Sequence, residues 1–114
     1  MTVTAEPFPD GLVIRFNGTR IDAAGAISFK DQVKLLTDTS TGRVILDLAQ
    51  VTFIDSSGLG AIVASLKQLS PGRRLELAGL TPAVEKVFRL TRMDSVFRIH
   101  PGVDAATSSM QDSL

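Results

Sequence analysis

The chain of 114 residues contains no cysteine, tryptophan or tyrosine and only one histidine. The missing cysteines exclude disulfide bonds, thiolate metal sites and a thiol nucleophile. Six phenylalanines are the only aromatic residues, which argues against stacking platforms for nucleic-acid bases. Twelve basic side chains balance twelve acidic ones, so we expect neither a nucleic-acid surface nor a polybasic membrane patch.

Long apolar runs are also missing from the sequence. None approaches the roughly 20 residues that span a bilayer, and residues 1–11 lack the basic start and apolar run of a secretory signal. We therefore predict a cytoplasmic protein without direct membrane insertion, and no feature predicts a metal or cofactor. The length and a hydrophobic content of 44% suit a single domain over residues 1–114, with a frayed end at about 105–114.

Segments typical of strands alternate with segments of helical period along the chain. Strands are predicted at residues 3–5, 12–16, 44–48, 75–77 and 96–99. The first two form a hairpin, and the unbroken apolar run at 44–48 is typical of a central strand. Because helical crossovers join parallel strands, the order ββαβαβαβ(α) predicts an α/β fold with a mixed, mostly parallel sheet of four to five strands.

Three helices and a short fourth one are predicted between and after these strands. The first begins near Asp22 as its cap and buries a stripe of Ala26, Phe29, Val33 and Leu36. The second follows the turn at 55–57 and buries Leu59, Ile62, Val63, Leu66 and Leu69. The third begins at Thr81-Pro82, with a capping hydroxyl and then a proline in the first helical position. The last begins near Asp104.

The most informative segment reads VILDLAQVTFIDSSGLG at 44–60. Its apolar strand leads into a turn that presents Asp55, Ser56 and Ser57, and a helix begins at once. Free backbone N–H groups and the positive end of the helix dipole favour an anion at such a place. A serine there is well placed to carry a phosphate, although serine and aspartate are also ordinary capping and turn residues.

The residues after this turn allow more than one interpretation. Gly58-Leu59-Gly60 lacks the third glycine of a dinucleotide fingerprint, so close packing against the sheet or a partner is favoured over nucleotide binding. Leu59 either enters the core or stands exposed as an apolar anchor. His100 is predicted at the surface. With one histidine and no Gly-x-Ser-x-Gly elbow, a serine hydrolase is disfavoured, and we predict that the protein is not an enzyme.

Four segments together resemble the STAS domain family, and within it the anti-sigma factor antagonists. They are RIDAAGA at 20–26, VILDL at 44–48, VTFIDSSGLG at 51–60 and LTPAVEKVFRLTRMDSVFRI at 80–99. The resemblance implies a STAS-like sheet covered by helices mainly on one face. It also implies that Ser56 is phosphorylated and that the partner-binding residues include Asp22, Asp55, Ser57, Gly58 and Leu59.

The resemblance further implies a bacterial partner-switching pathway. The unphosphorylated antagonist would bind an anti-sigma factor, which is a serine kinase of the histidine-kinase-like ATPase fold, and would thereby release a sigma factor. Phosphorylation would end that binding, and a metal-dependent serine phosphatase would reverse it. Two alternatives stay open: an antagonist with a non-sigma output, and a non-phosphorylated accessory subunit of a membrane transporter, against which the intact IDSSGLG motif argues.

Overall fold

A computed structural model describes residues 3–108 of the chain. The strands are β1 (Val3–Phe8), β2 (Gly11–Phe16), β3 (Arg20–Ile21), β4 (Arg43–Asp47), β5 (Phe53–Ile54), β6 (Leu75–Ala78) and β7 (Arg98–His100). The helices are α1 (Ala26–Asp38), α2 (Ser56–Lys67), α3 (Pro82–Leu90) and α4 (Val103–Ser108), with a single 3₁₀ turn at Met93–Ser95. The segment predicted to fray, at about 105–114, is helical up to residue 108. The rest of it lies outside the described residues.

The main sheet has five strands in the order β1-β2-β4-β6-β7. The β1–β2 hairpin is antiparallel, whereas the other neighbours are parallel. Every residue of the central strand β4 is buried, as its apolar run predicts. The predicted α/β fold with a mixed, mostly parallel sheet is therefore confirmed. The short parallel pair β3–β5 was not predicted, because two-residue strands leave no periodic signal.

Helices α1, α2 and α3 pack on one face of this sheet. The core between them includes Ile14, Leu46, Phe29, Ile62 and Phe88. A smaller cluster of Val13, Ile45, Ala78 and Ala106 lies on the other face beneath α4. Because side chains alternate between the two faces of a strand, neighbouring residues of β4 enter different clusters. The expected one-sided arrangement of most helices is confirmed.

The two edge strands differ from their predicted bounds. Strand β1 continues through Pro7, which pairs with Leu12 of β2, because an edge strand tolerates a proline whose missing N–H would point away from the sheet. The last strand begins only at Arg98. Phe97 is instead a core residue, and its ring meets the ring of Phe88 edge-on at a centroid distance of 6.0 Å.

Two predicted capping side chains do not cap their helices. Helix α1 begins at Ala26 with Gly25 as its cap, and the Asp22 carbonyl accepts a hydrogen bond from the Gly25 N–H in the preceding turn. Helix α3 begins at Pro82 as predicted. However, the Thr81 hydroxyl donates to the Val51 carbonyl at 2.7 Å, which ties the start of α3 to the segment before β5.

The prediction that His100 lies at the surface is wrong. Its side chain is buried, and Nε2 lies 2.7 Å from Oε1 of Glu76. Arg43 donates to both oxygens of the same carboxylate at 2.7 and 2.8 Å, and to the Ala106 carbonyl of α4 at 3.0 Å. Burial opposes the charge on Glu76, but the hydrogen bonds from Arg43 and His100 outweigh it, so its pKa is lowered.

Candidate functional site

Strands β3 and β5 bring the two aspartates of the predicted site to one place. The parallel register pairs Ile21 with Ile54, so Asp22 and Asp55 both follow at the same end of this pair. The Asp55 N–H donates to the Ile21 carbonyl at 3.3 Å, continuing the ladder by one residue. The loop before α1 and the start of α2 therefore meet, although they lie about thirty residues apart in the sequence.

Asp55 is the N-cap of α2 and holds both segments with one carboxylate. Its Oδ1 accepts from the Gly58 N–H at 2.8 Å, which satisfies a donor of the first turn. Its Oδ2 accepts from the Ala23 N–H at 3.2 Å, across the junction with the loop before α1. Asp55 thus takes the capping role that aspartate commonly has in such a turn, and its carboxylate is engaged by backbone groups.

Asp22 lies beside this junction. Its Oδ2 accepts a hydrogen bond from Nε of Arg20 at 3.3 Å. The Arg20 guanidinium also lies 4.0 Å from the ring centroid of the exposed Phe53, a cation–π geometry. Asp22 therefore belongs to an accessible edge of the β3–β5 pair and to the same corner of the molecule as Asp55.

Ser56 and Ser57 are the first two residues of α2, and both are exposed. Within residues 3–108, no hydrogen bond engages either hydroxyl. The two side chains lie on different sides of the helix. Ser56 borders a groove between α2 and the turn after α3, whereas Ser57 borders a groove between α2 and α1. Both hydroxyls are thus accessible at the end of α2 where the helix dipole favours an anion.

The two glycines of the motif have different surroundings. A Cβ on Gly58 would lie 2.1 Å from the Ile21 carbonyl oxygen, so this position requires glycine for the helix start to pack against β3. A Cβ on Gly60 would have no neighbour within 4 Å. The close packing inferred from the sequence is confirmed at Gly58, while Gly60 leaves open space between the two grooves.

The groove beside Ser56, which we call the α2–α3 groove, follows the length of α2. It is lined by Ser56, Leu59, Gly60, Val63, Ala64, Lys67, Thr91 and Met93. Both alternatives for Leu59 hold in part, because it is half-buried against the core and also lines this groove. Thr91 and Met93 had no sequence signal, since only the return of the chain after α3 places them opposite α2.

The groove beside Ser57, the α1–α2 groove, is lined by Ala26, Ile27, Lys30, Ser57, Gly60, Ala61 and Ala64. Ile27 is 72% exposed, which is high for a large aliphatic side chain. Ile27 was not among the residues predicted for the site. Ile27 is a large aliphatic residue next to Ala26 but outside the buried stripe of α1, and this position in the sequence would have identified it.

Residues 3–108 contain neither a membrane-spanning helix nor a metal-binding cluster. No helix there has the length and apolar character needed to cross a membrane. The same part of the chain holds no cluster of three or more histidine, aspartate or glutamate side chains able to bind a metal ion.

The chain is similar to proteins of a known family. The chain matches the STAS domain family over residues 2–106. It is 31% identical over 103 residues to a STAS-domain containing protein of Pseudomonas aeruginosa, covering 87% of this chain and 99% of that protein. It is 24% identical over 104 residues to the anti-sigma-B factor antagonist of Staphylococcus epidermidis, covering 90% of this chain and 93% of that protein.

Solved structures share the fold. The anti-sigma factor antagonist SpoIIAA in its unphosphorylated form is 20% identical, with a TM-score of 0.72 over 92% of each chain. The Bacillus cell fate determinant SpoIIAA in the phosphorylated form is 18% identical, with a TM-score of 0.69 over 96% of this chain and 100% of that one. The family match covers nearly all the described residues and the fold agrees with it, so this chain belongs to the STAS domain family.

Proposed function

We propose that this protein is an anti-sigma factor antagonist whose binding is switched by phosphorylation of Ser56. The observation that carries the proposal is the exposed, unengaged Ser56 hydroxyl at the first position of α2, where it borders an apolar groove. Relatives of similar length named as anti-sigma factor antagonists support the same role. The partner is an anti-sigma factor that is also a serine kinase, and a metal-dependent serine phosphatase reverses the reaction.

The free protein accommodates a phosphate on Ser56 without refolding. A phosphoserine carries a charge of about −1.5 to −2 near neutral pH, and the N–H groups and dipole of the first turn of α2 favour a negative charge. The neighbouring Asp55 carboxylate is already held by the Gly58 and Ala23 N–H groups. The new charge therefore changes the surface of this corner and leaves its internal hydrogen bonds in place.

A bound partner does not accommodate the phosphate in the same way. Closing an interface over Ser56 would remove the dianion from water, at a cost of about 2–5 kcal/mol when no cation compensates it. That cost corresponds to roughly thirtyfold to several thousandfold in affinity. The change suffices to convert a bound antagonist into a free one, and the kinase then retains its sigma factor.

The assignment is tested by phosphorylation in vitro. The protein is incubated with ATP and each purified serine kinase of the histidine-kinase-like ATPase fold from the source genome. Intact mass should show one added phosphate with the cognate kinase, and peptide mapping should place it on Ser56. Ser56→Ala should abolish the labelling, whereas the matched control Ser57→Ala should retain it. Normal labelling of Ser56→Ala would overturn the assignment.

A further inference from the structure

One wall of the α2–α3 groove is a helical face about three turns long. This α2 wall consists of residues 56, 59, 60, 63, 64 and 67, which is the spacing of one helical face. At 1.5 Å per residue this wall is about 16 Å long. Thr91 and Met93 form the opposite wall. Gly60 and Ala64 keep the floor low, because neither carries a side chain larger than a methyl group.

The two ends of this groove differ in charge. Lys67 lies at one end and is the only charged residue among those that line the groove. Within residues 3–108, its ammonium group takes part in no ion pair or side-chain hydrogen bond. The opposite end holds Ser56 and the start of α2, where the helix dipole is positive. Leu59, Val63 and Met93 supply apolar surface between these ends.

The groove favours a helix over an extended segment. Its lining comes from α2 and from the turn after α3, with no strand edge among these residues. An extended segment would find no backbone ladder to join there, whereas a helix satisfies its own N–H and carbonyl groups. Apolar side chains at helical spacing would fill the space between Leu59, Val63 and Met93.

We propose that the kinase inserts an amphipathic helix, acidic in its first turn, into the α2–α3 groove and antiparallel to α2. This inference rests on the proposed function. The acidic first turn meets Lys67, and the negative end of the partner's helix dipole meets the positive start of α2 beside Ser56. Phosphorylation of Ser56 places a dianion against that negative end, so that attraction becomes repulsion where the partner lies closest.

A charge-reversal pair on the two grooves tests the inference. The kinase is the one that labels Ser56, and its affinity for unphosphorylated variants is measured at about 0.05 and 0.3 M salt, where screening differs strongly. Lys67→Glu should weaken binding at least about fivefold at low salt and less at high salt. The matched control Lys30→Glu, which alters the α1–α2 groove, should change affinity less than about twofold.

Isotope-labelled protein titrated with the kinase supplies a second measurement. Amide shifts should change at Val63, Ala64 and Met93, and should stay nearly unchanged at Ala26 and Ile27. A kinase variant with lysine in place of the contacting acidic residue should restore binding to Lys67→Glu. Equal losses in the two charge-reversal variants, or shifts centred on the α1–α2 groove, would overturn the docking site alone. If no kinase binds the wild-type protein, both the proposed function and the proposed docking site fail.

Discussion

Among single residues, Asp55 and Ser56 are neighbours with different roles. The Asp55 carboxylate is engaged by two backbone donors, one in α2 and one before α1. Ser56 is the next residue, and its side chain is exposed. The Asp55 carboxylate already accepts from the Gly58 N–H, which is the donor that a serine in the capping position would otherwise bind. The aspartate therefore builds the helix start, and the serine is left available for chemistry.

Asp55→Ala should lower the free energy of unfolding by about 1–3 kcal/mol, because it removes the cap of α2 and leaves the Ala23 N–H without its acceptor. Chemical denaturation at neutral pH measures the change. The matched control Ser56→Ala removes an exposed hydroxyl and should change stability by less than about 0.5 kcal/mol. Equal stability of the two variants would refute the structural role of the Asp55 carboxylate.

Ser56→Asp should weaken kinase binding by at least about tenfold, because a permanent charge next to the groove must be desolvated in the complex. Isothermal titration against the kinase measures the effect. The control Ser57→Asp places the same charge on the α1 side of α2 and should weaken binding less. Wild-type affinity of Ser56→Asp would mean that charge at this position does not control binding.

The two motif glycines give a matched pair of substitutions. Gly58→Ala should destabilise the protein by about 1–3 kcal/mol or more, since its Cβ would lie within 2.1 Å of the Ile21 carbonyl oxygen. Gly60→Ala meets open space and should stabilise α2 by roughly 0.5–1 kcal/mol through helix propensity. Thermal and chemical unfolding measure both changes, and a destabilised Gly60→Ala protein would contradict the open surroundings.

At the scale of elements, α4 depends on a buried charged cluster. Arg43 begins β4, Glu76 lies in β6 and His100 ends β7, and their side chains meet beneath α4. Arg43 also donates to the Ala106 carbonyl near the end of α4, where a cation is favoured by the helix dipole. The cluster thus attaches the only helix on this face, among the described residues, to three adjacent strands.

Glu76→Gln should lower the free energy of unfolding by about 3–5 kcal/mol at neutral pH, because an amide cannot neutralise the buried Arg43 guanidinium. The pH dependence follows from the lowered pKa of Glu76. A carboxyl whose pKa is lower in the folded state contributes stability above its ordinary value of 4.5 and loses it as pH falls through the folded value.

Denaturation curves between about pH 7 and pH 3 test this sign. The wild-type protein should lose stability below about pH 4.5, and the Glu76→Gln variant should lack that part of the loss. Glu85→Gln is the control, because Glu85 is exposed and its ion pair with Arg89 lies within one helix. An unchanged acid profile in Glu76→Gln would show that another carboxyl dominates.

For the whole molecule, the proposed switch would change the surface of one corner and leave the fold constant. The candidate site lies on the side covered by α1, α2 and α3, and the cluster beneath α4 lies on the other face of the sheet. Nothing in the Ser56 environment requires the sheet or α4 to move when a phosphate is added. The proposed change in binding would therefore arise from charge and desolvation at one corner.

Phosphorylated and unphosphorylated protein should accordingly share their far-ultraviolet dichroism, and their unfolding midpoints should differ by less than about 5 °C. Amide shift differences should be confined to the start of α2, the loop before α1 and the nearby turn after α3. Widespread shift changes across the sheet, including β6 and β7, would show that phosphorylation remodels the fold.

Features with a local physical cause were predictable. The apolar run of β4, the Asp55 cap and the start of α3 at Pro82 each depend on residues within one turn or one strand. Features with distant partners were not. The Thr81 hydroxyl has its acceptor 30 positions away, and His100 has its partner 24 positions away, so their local patterns indicated a cap and a surface loop instead.

The same division applies to the candidate site. That an accessible serine begins a helix directly after Asp55 follows from short-range chemistry, which the order of amino acids contains. Three other features depend on β3 pairing with β5 and on α3 returning beside α2. They are the groove that borders Ser56, the lack of space for a side chain at Gly58 but not at Gly60, and the contact between Asp55 and Ala23. Distances between segments so far apart in the chain are set only when the whole core packs.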